Sequence, residues 1–475
     1  MRELFPSLTA GIAAIGRGLW FVTRRVGRAM LYLLPALILV HIIATVITGR
    51  QLQRDMTRLR ATGILLPAKE LIPTLPPGAE NAAPVYEKAW NALRFSVEDE
   101  SALFDQGVKH DAKWLALARR VVAANPEYYR LLDQASVISH CVFPVDWTSP
   151  TAAVFPHFNQ LSKAARMLTL RANVEAADGQ IEAALDSVTT IARVAQHAKS
   201  DAIIISELLS YAIQDMAVST LEEVLSRGTS PPSTCKSLYE ELGKLDNSAS
   251  SLRVMKGEVG LLMAEVFDLV RSGKVSLDDL CGGESSGGSF WGRSRSLIRV
   301  RAWLWRPLFN ADQRVNLAHM ERQIRAAELP WPESERTIQE DEDRLNQRPP
   351  VYAVLTRMVT PVFGGCILRR ERATAAIRAA QVALALKVYQ AEHGALPASL
   401  SDLEQAGWRL PRDPFGDGEY RFRREGGGFV VWSIGPDMQD GNASRDFRAY
   451  ANLPLTAAER KKNPYDYDVI FRCTR

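Results

Sequence analysis

ILRRERATAAIRAAQVALALKVYQAE, residues 367–392, is the stretch that decides the fold of the C-terminal part of this chain. Its apolar residues recur every three or four positions, at Ala373, Ile377, Ala380, Leu384 and Val388, and arginines lie between them. This spacing places the apolar residues on one face of a helix and the arginines on the opposite face. It predicts one long amphipathic helix over 367–392.

Turn and strand signals follow this helix. His-Gly at 393–394 ends it, and Ser-Asp-Leu-Glu at 401–404 has the spacing of a capping box that starts a short helix. Residues 420–423 and 429–433 have the composition of strands, and three glycines between them predict a hairpin turn. Residues 467–471 predict a third strand. The C-terminal region is therefore predicted to be a long helix with a small sheet.

The order of these segments resembles a known family. ALALKVYQAEHGALPASLSDL (383–403), LPRDPFGDGEYRFR (410–423) and FVVWSIGPDMQDGN (429–442) together resemble the globular domain of the major pseudopilin of type II secretion systems. The resemblance implies an α+β domain over 346–475, with the long helix packed on an antiparallel sheet. It also implies a role linked to secretion or pilus-type machinery.

The same resemblance implies a calcium ion in the acidic loop after the hairpin. Calcium takes six to eight oxygen ligands, from carboxylates and carbonyls. By position, the ligands carried over to this chain are Asp437 and Asp440, with Asp468 as a more distant one. The alternative is that these aspartates only accept hydrogen bonds within turns and face solvent.

The middle region, residues 85–345, is predicted to be helical. Within it, LSKAARMLTLRANVEAADGQIEAALDSVTTIARVAQHA (161–198) places Ala172 and Ala176 before Asp178-Gly179, and further small residues after that turn. Small residues let two antiparallel helices approach closely, and Gly179 can adopt the left-handed conformation that ends a helix. The segment weakly resembles a tetratricopeptide unit, and a generic helical hairpin is the alternative. Scaffolds of this kind bind protein partners, so a partner is expected here.

An apolar segment near the N-terminus predicts a membrane anchor. MLYLLPALILVHIIATVIT (30–48) has no charged residue, and its length matches the roughly 20 residues that cross a bilayer. We predict a cytoplasmic tail (1–28), a transmembrane helix (29–49) and a linker (50–84). A buried soluble helix is the alternative. The pseudopilin resemblance favours a bacterial inner membrane protein with its soluble part in the periplasm.

Five arginines are interleaved with leucines and tryptophans in RSRSLIRVRAWLWRPLF, residues 293–309. Such a helix can rest on anionic lipid, with its aromatic side chains at the membrane interface. The alternative is an amphipathic helix packed on the protein with its arginines in solvent.

Composition and motifs narrow the function. The net charge of +4 is too small to predict nucleic-acid binding. The helical patterns above predict a mainly α fold. No metalloprotease, phosphate-loop or dinucleotide motif occurs, so the chain is predicted to be non-enzymatic. The alternative is an envelope hydrolase with a site at 139–157, where His140, Cys141, Asp146 and His157 lie close in sequence.

Overall fold

The computed structural model describes residues 5–105, 110–245, 247–275, 295–347, 350–359, 363–447 and 467–474, and these residues are mainly helical. They form two compact units. The first unit comprises Met1–Thr62, Val266–Ala318 and Pro350–Val359, and the second comprises Gly63–Glu265, His319–Pro349 and Thr360–Arg475.

Helices and strands are numbered in chain order. The helices are α1 (Phe5–Ala61), α2 (Ala68–Leu71), α3 (Ala83–Ala92), α4 (Val97–Phe104), α5 (Ala112–Ala123), α6 (Pro126–Ser136), α7 (Pro156–Ala177), α8 (Ile181–Ala198), α9 (Ile204–Arg227), α10 (Pro232–Gly243), α11 (Asn247–Gly257), α12 (Ala264–Ser272), α13 (Arg295–Ala326), α14 (Glu333–Gln347), α15 (Val354–Val359), α16 (Phe363–His393) and α17 (Leu400–Gln405). A short 3-10 helix covers Pro150–Ala152, and a π-helical segment covers Glu258–Met263. The strands are β1 (Arg421–Glu425), β2 (Gly428–Ser433) and β3 (Val469–Cys473).

The first unit contains the long apolar helix. Among the described residues, one helix is long and apolar enough to cross a membrane, over Leu31–Ala61, and none of its most apolar stretch is buried. The helix continues to Ala61, so residues 50–61 of the predicted linker are helical rather than irregular. Arginine, glutamine, leucine and methionine favour helix in this stretch, and no proline occurs in it.

Within the same unit, α13 lies beside α1. The rings of His41 and Trp303 have centroids 4.2 Å apart. Further along both helices, the Asn310 side-chain amide donates to Thr48 Oγ1 at 3.2 Å, and Arg314 Nε donates to Asp55 Oδ2 at 2.6 Å. Because these contacts advance together along both sequences, the two helices run in the same direction.

In the second unit, α7 and α8 form the predicted helical hairpin. Gly179 has a φ of 80°, and the Gln180 amide donates to the carbonyl of Glu175 at 2.8 Å. This bond is the one expected where a glycine in the left-handed conformation ends a helix, so the prediction for Gly179 is confirmed. Ala172, Ala176 and Ala184 are buried, and they permit the close approach of the two helices.

The predicted C-terminal helix and hairpin are also present. Helix α16 covers the predicted stretch, and the three strands form an antiparallel sheet of order β1-β2-β3. In its register, Phe422 pairs with Val431, and Val431 pairs with Phe471. The capping box of α17 starts at Ser399 rather than Ser401. Asp402 Oδ2 accepts from the Ala398 amide at 2.8 Å and from the Ser399 amide at 3.1 Å, because Asp402 is the third residue of that helix.

The prediction that α16 is amphipathic is wrong. Nearly every residue between Ala375 and Val388 is buried, because α16 packs against α9 and α10 on one side and against β2 and β3 on the other. Its many alanines allow this, since small side chains let neighbours approach from every direction. One continuous core joins residues 82–245 to residues 375–473. The predicted boundary between a helical domain (85–345) and a tail domain (346–475) therefore differs from the packing.

Candidate functional site

A polar cavity opens on the helical hairpin of the second unit, with a volume of about 660 Å³. Helices α6, α7, α8 and α10 contribute its walls. Its residues are mostly charged or hydroxylated: Asp133, Ser136, Arg171, Glu175, Asp186, Ser187, Thr189, Thr190, Arg193, Ser233, Thr234 and Ser237, with Val137 and Ala183. The cavity therefore offers hydrogen-bonding groups rather than an apolar surface.

A hydrogen-bonded network organises the floor of this cavity around Arg171. The guanidinium donates to both carboxylate oxygens of Asp133 at 2.8 Å, and its Nε donates to Ser187 Oγ at 2.8 Å. Ser187 in turn donates to Glu175 Oε2 at 2.6 Å, and Thr190 donates to Asp133 Oδ1 at 3.1 Å. Bidentate pairing of this kind fixes both partners in orientation. The floor is thus a preformed polar surface.

Burial perturbs the acids of the cavity. It raises the pKa of Glu175, and it also raises the pKa of Asp186, to which the nearby carboxylate of Glu182 adds. Burial lowers the pKa of Arg171, but the hydrogen bond and charge of Asp133, together with Glu175 and Tyr129, outweigh burial and raise this pKa overall. Arg193 is paired with Glu241, with 3.1 Å between Nε and Oε1. The exposed carboxylate of Asp186 and the hydroxyl groups can bind polar and cationic parts of a ligand, whereas Arg171 and Glu175 already form an ion pair, with 3.7 Å between Nε and Oε1.

The sequence patterns did not single out these residues. Arg171 and Glu175 are one helical turn apart in a segment of otherwise buried residues, and the Arg171 side chain is only 11% exposed. A charged residue inside a helix face that is otherwise apolar was the signal that could have identified the cavity. Its partner Asp133 lies on another helix, and no local pattern connects the two.

The three aspartates predicted as calcium ligands lie in the loop between β2 and β3. Asp468 is buried, and its two oxygens accept from the amides of Gly441 at 3.2 Å and Ala443 at 2.9 Å. Asp440 Oδ1 accepts from Trp432 Nε1 at 2.9 Å, and Asp437 Oδ1 accepts from a backbone amide at 3.1 Å. Asp437 and Asp440 each accept from the amide two residues later, as the turn alternative describes, whereas Asp468 is buried and bonds residues distant in sequence.

The three carboxylates nevertheless interact electrostatically. Burial raises the pKa of Asp468 to about 6, and the negative charges of Asp440 and Asp437 add to this shift. Met438, Asn442 and Ala443 have positive φ angles of 55–58°, which are unusual for residues other than glycine. In the part of the chain that the structure describes, no three His, Cys, Asp or Glu side chains are grouped so that they could hold a metal ion. Calcium binding stays a prediction.

The region proposed for a hydrolase, residues 139–157, contains two kinds of residue. His140 and Asp146 are not buried, and Asp146 accepts from the amide and hydroxyl of Thr148. Cys141 and His157 are buried, and His157 Nε2 lies 2.9 Å from Oδ2 of Asp201, a partner that the sequence did not indicate. Burial and the nearby Asp201 raise the pKa of the Cys141 thiol, which disfavours the nucleophilic thiolate.

Comparison with known proteins found no relative of this chain. No protein family, no curated protein and no solved structure matches the chain.

Proposed function

We propose that this chain is a non-enzymatic, single-pass membrane protein of the bacterial envelope that binds a protein partner through the polar cavity of its second unit. The cavity is the single observation that carries this proposal, because it combines charged and hydroxyl groups in a preformed arrangement. An extended polypeptide segment with a basic side chain would match Asp186, the exposed acid of its lining.

Anchoring to the inner membrane is part of the same proposal. It is supported by the exposed side chains along the apolar stretch of α1, including Leu37 at 64% and Val40 at 63%. Exposed large apolar residues in such a continuous run are unfavourable in water and favourable in lipid. In this proposal the soluble part is periplasmic, and its pseudopilin-like helix and sheet contact secretion or pilus-type machinery.

Site-specific photo-crosslinking tests the partner site. A photoreactive amino acid at Ser237, which lines the cavity, is expected to give one discrete crosslinked species in cells. The adjacent Lys236 does not line the cavity, so a probe there serves as the matched control and should not give that species. Asp186→Lys should abolish the Ser237 crosslink because it reverses a cavity charge. The same crosslink in the Asp186→Lys variant would contradict the proposal.

Calcium binding by the acidic loop is tested separately on the full-length chain. Calorimetric titration should show binding near millimolar concentration if Asp437, Asp440 and Asp468 are ligands. Asp440→Asn should weaken that binding, whereas Asp417→Asn, on an exposed turn before β1, should not. If the unsubstituted protein gives no heat of calcium binding, the prediction that the loop binds calcium is wrong.

The hydrolase alternative is distinguished by substitutions outside the core. His140→Ala and Asp146→Ala should leave folding intact, because neither side chain is buried. Loss of a measurable hydrolytic activity in these folded variants would favour the enzyme and count against a purely binding role.

A further inference from the structure

A second cavity, of about 530 Å³, lies within the first unit at the C-terminal end of the apolar stretch of α1. Four arginines line it: Arg50 and Arg54 from α1, Arg271 from α12 and Arg306 from α13. None of the described residues that line this cavity is acidic. It therefore has the opposite charge character to the cavity of the second unit, where each arginine has an acidic partner.

Three of the four arginines have no acidic partner among the described residues. Arg50, Arg54 and Arg306 form no ion pair with any residue the structure describes, in contrast to Arg314 nearby, which pairs with Asp55. Arg271 lies 3.7 Å from Asp268, whose side chain is 74% exposed, and it also donates to Gln313. Its Nε is buried and has no hydrogen-bond partner within the described chain.

Gathering these charges has an electrostatic cost. Burial lowers the pKa of Arg271 in spite of Asp268, and the nearby positive charge of Arg306 lowers it further. Like charges held together around a cavity repel one another, and a bound anion offsets this repulsion because each arginine attracts the anion. Guanidinium groups match the oxygens of phosphate in geometry, and two N–H groups can donate in parallel to one phosphate.

The position of the cavity narrows the choice of anion. Thr45 and Val46, at the end of the exposed apolar stretch of α1, also line it. On α13, Leu304 and Trp305 are 52% and 51% exposed and precede Arg306 directly. Apolar and aromatic side chains followed by arginines are the pattern of a membrane interface, where phosphate groups lie just outside the acyl chains.

The geometry points to a binding site for a phosphate group, supplied by the headgroup of an anionic phospholipid at the base of the membrane anchor. Arg50, Arg54 and Arg306 contact the phosphate from the accessible side. Arg271, whose largely buried side chain lines the same cavity, adds its positive charge to the attraction. The lipid source rests on the anchoring part of the proposed function, whereas the phosphate chemistry rests on the arginines alone.

Native mass spectrometry of the full-length chain in neutral detergent micelles tests this site. The protein is titrated with phosphatidylglycerol and with phosphatidylcholine of the same acyl chains. Phosphatidylglycerol should bind about tenfold more tightly, since each arginine near a lipid headgroup adds attraction for the anionic lipid. The triple variant Arg50→Gln, Arg54→Gln, Arg306→Gln should lose this preference.

A second triple variant controls for net charge. Arg60, Arg299 and Arg357 are exposed arginines of the same unit that do not line the cavity. Their combined replacement by glutamine removes the same charge and should leave the preference unchanged. An equal loss in both triple variants would show diffuse attraction and overturn the proposal, as would equal binding of the two lipids combined with no binding of inorganic phosphate.

Competition with inorganic phosphate distinguishes a lipid headgroup from soluble phosphate as the ligand. Retention of phosphatidylglycerol in a large excess of phosphate supports a lipid headgroup site, and displacement supports a site for soluble phosphate. Alkaline carbonate extraction of membranes distinguishes this proposal from anchoring. Release of the unsubstituted protein would refute the anchor, while the micelle titration would still report on the cavity.

Discussion

Two long helices of this chain contain extended apolar stretches, yet the surroundings of these stretches are opposite. Along α1, Leu37 is 64% exposed, and along α16, Leu384 is fully buried. The apolar stretch of α1 consists mainly of large aliphatic residues without a charge, whereas α16 alternates alanines with Arg378, Gln381 and Lys387. Small side chains permit close packing by protein on all sides, and large uncharged ones form a surface that lipid can cover.

The largest expected effect comes from charging the exposed helix. Leu37→Arg combined with Val40→Arg should oppose membrane insertion by about 5–7 kcal/mol, since each arginine at the centre of a spanning helix costs about half of that. The measurement is the fraction of protein in the membrane pellet after carbonate extraction. Leu37→Ala with Val40→Ala is the control. An unchanged pellet fraction in the arginine variant would mean that lipid does not surround this stretch.

Removing volume from the buried helix is expected to have the next largest effect. Leu384→Ala should lower the free energy of unfolding by about 2–5 kcal/mol, because it leaves a cavity in a packed core. Denaturant unfolding in micelles, followed by tryptophan fluorescence, measures this change. Leu37→Ala, the matched substitution on α1, should change it by less than about 0.5 kcal/mol. Similar losses for both variants would remove the distinction between the two helices.

The core around α16 also contains ionisable groups, whereas residues 30–48 of α1 include no carboxyl group. Burial raises the pKa of Asp413 to about 6 from 3.8, and its Oδ1 accepts from Ser433 Oγ at 2.8 Å. Because the folded chain holds this proton more tightly than the unfolded chain, the contribution of Asp413 to stability falls as pH rises through this interval.

Asp413→Asn should therefore flatten the pH dependence of the unfolding free energy between about pH 4 and 6. Over this interval, ionisation of the buried carboxyl lowers the stability of the unsubstituted protein by about 2–3 kcal/mol. Unfolding free energies of both proteins at about pH 4.5 and pH 7 measure the difference in slope. The amide oxygen of asparagine can still accept from Ser433, so the fold should persist. Parallel curves for the two proteins would show that Asp413 ionises normally.

The smallest expected effect concerns the end of α16. Gly394 has a φ of 76°, which is unfavourable for a residue with a Cβ. Gly394→Ala should therefore destabilise the folded protein by about 1 kcal/mol. Gly365, near the start of the same helix, has no atom of the described residues within 4 Å of an added Cβ. Gly365→Ala should instead stabilise by up to about 1 kcal/mol through helix propensity. Thermal melting measures both, and shifts of the same sign would contradict the assigned backbone conformations.

Local patterns predicted the elements well and their packing less well. Residues 367–392 form a helix, Gly179 ends α7, and the three strands lie within a few residues of their predicted positions. These features depend on neighbours in sequence. The burial of α16 on nearly all faces, and the pairing of His157 with Asp201, depend on residues from distant elements, and no local spacing reveals them.

By itself, the sequence determined where helices and strands form and that one N-terminal segment is apolar enough to cross a membrane, because backbone conformation and uncharged runs follow from nearby side chains. Tertiary structure alone decided which charges meet. It joined Arg171 to Asp133 across two helices, and it gathered Arg50, Arg54, Arg271 and Arg306 around a cavity whose described lining has no acid. Electrostatic energy depends on distance in space, and the order of residues along the chain does not specify that distance.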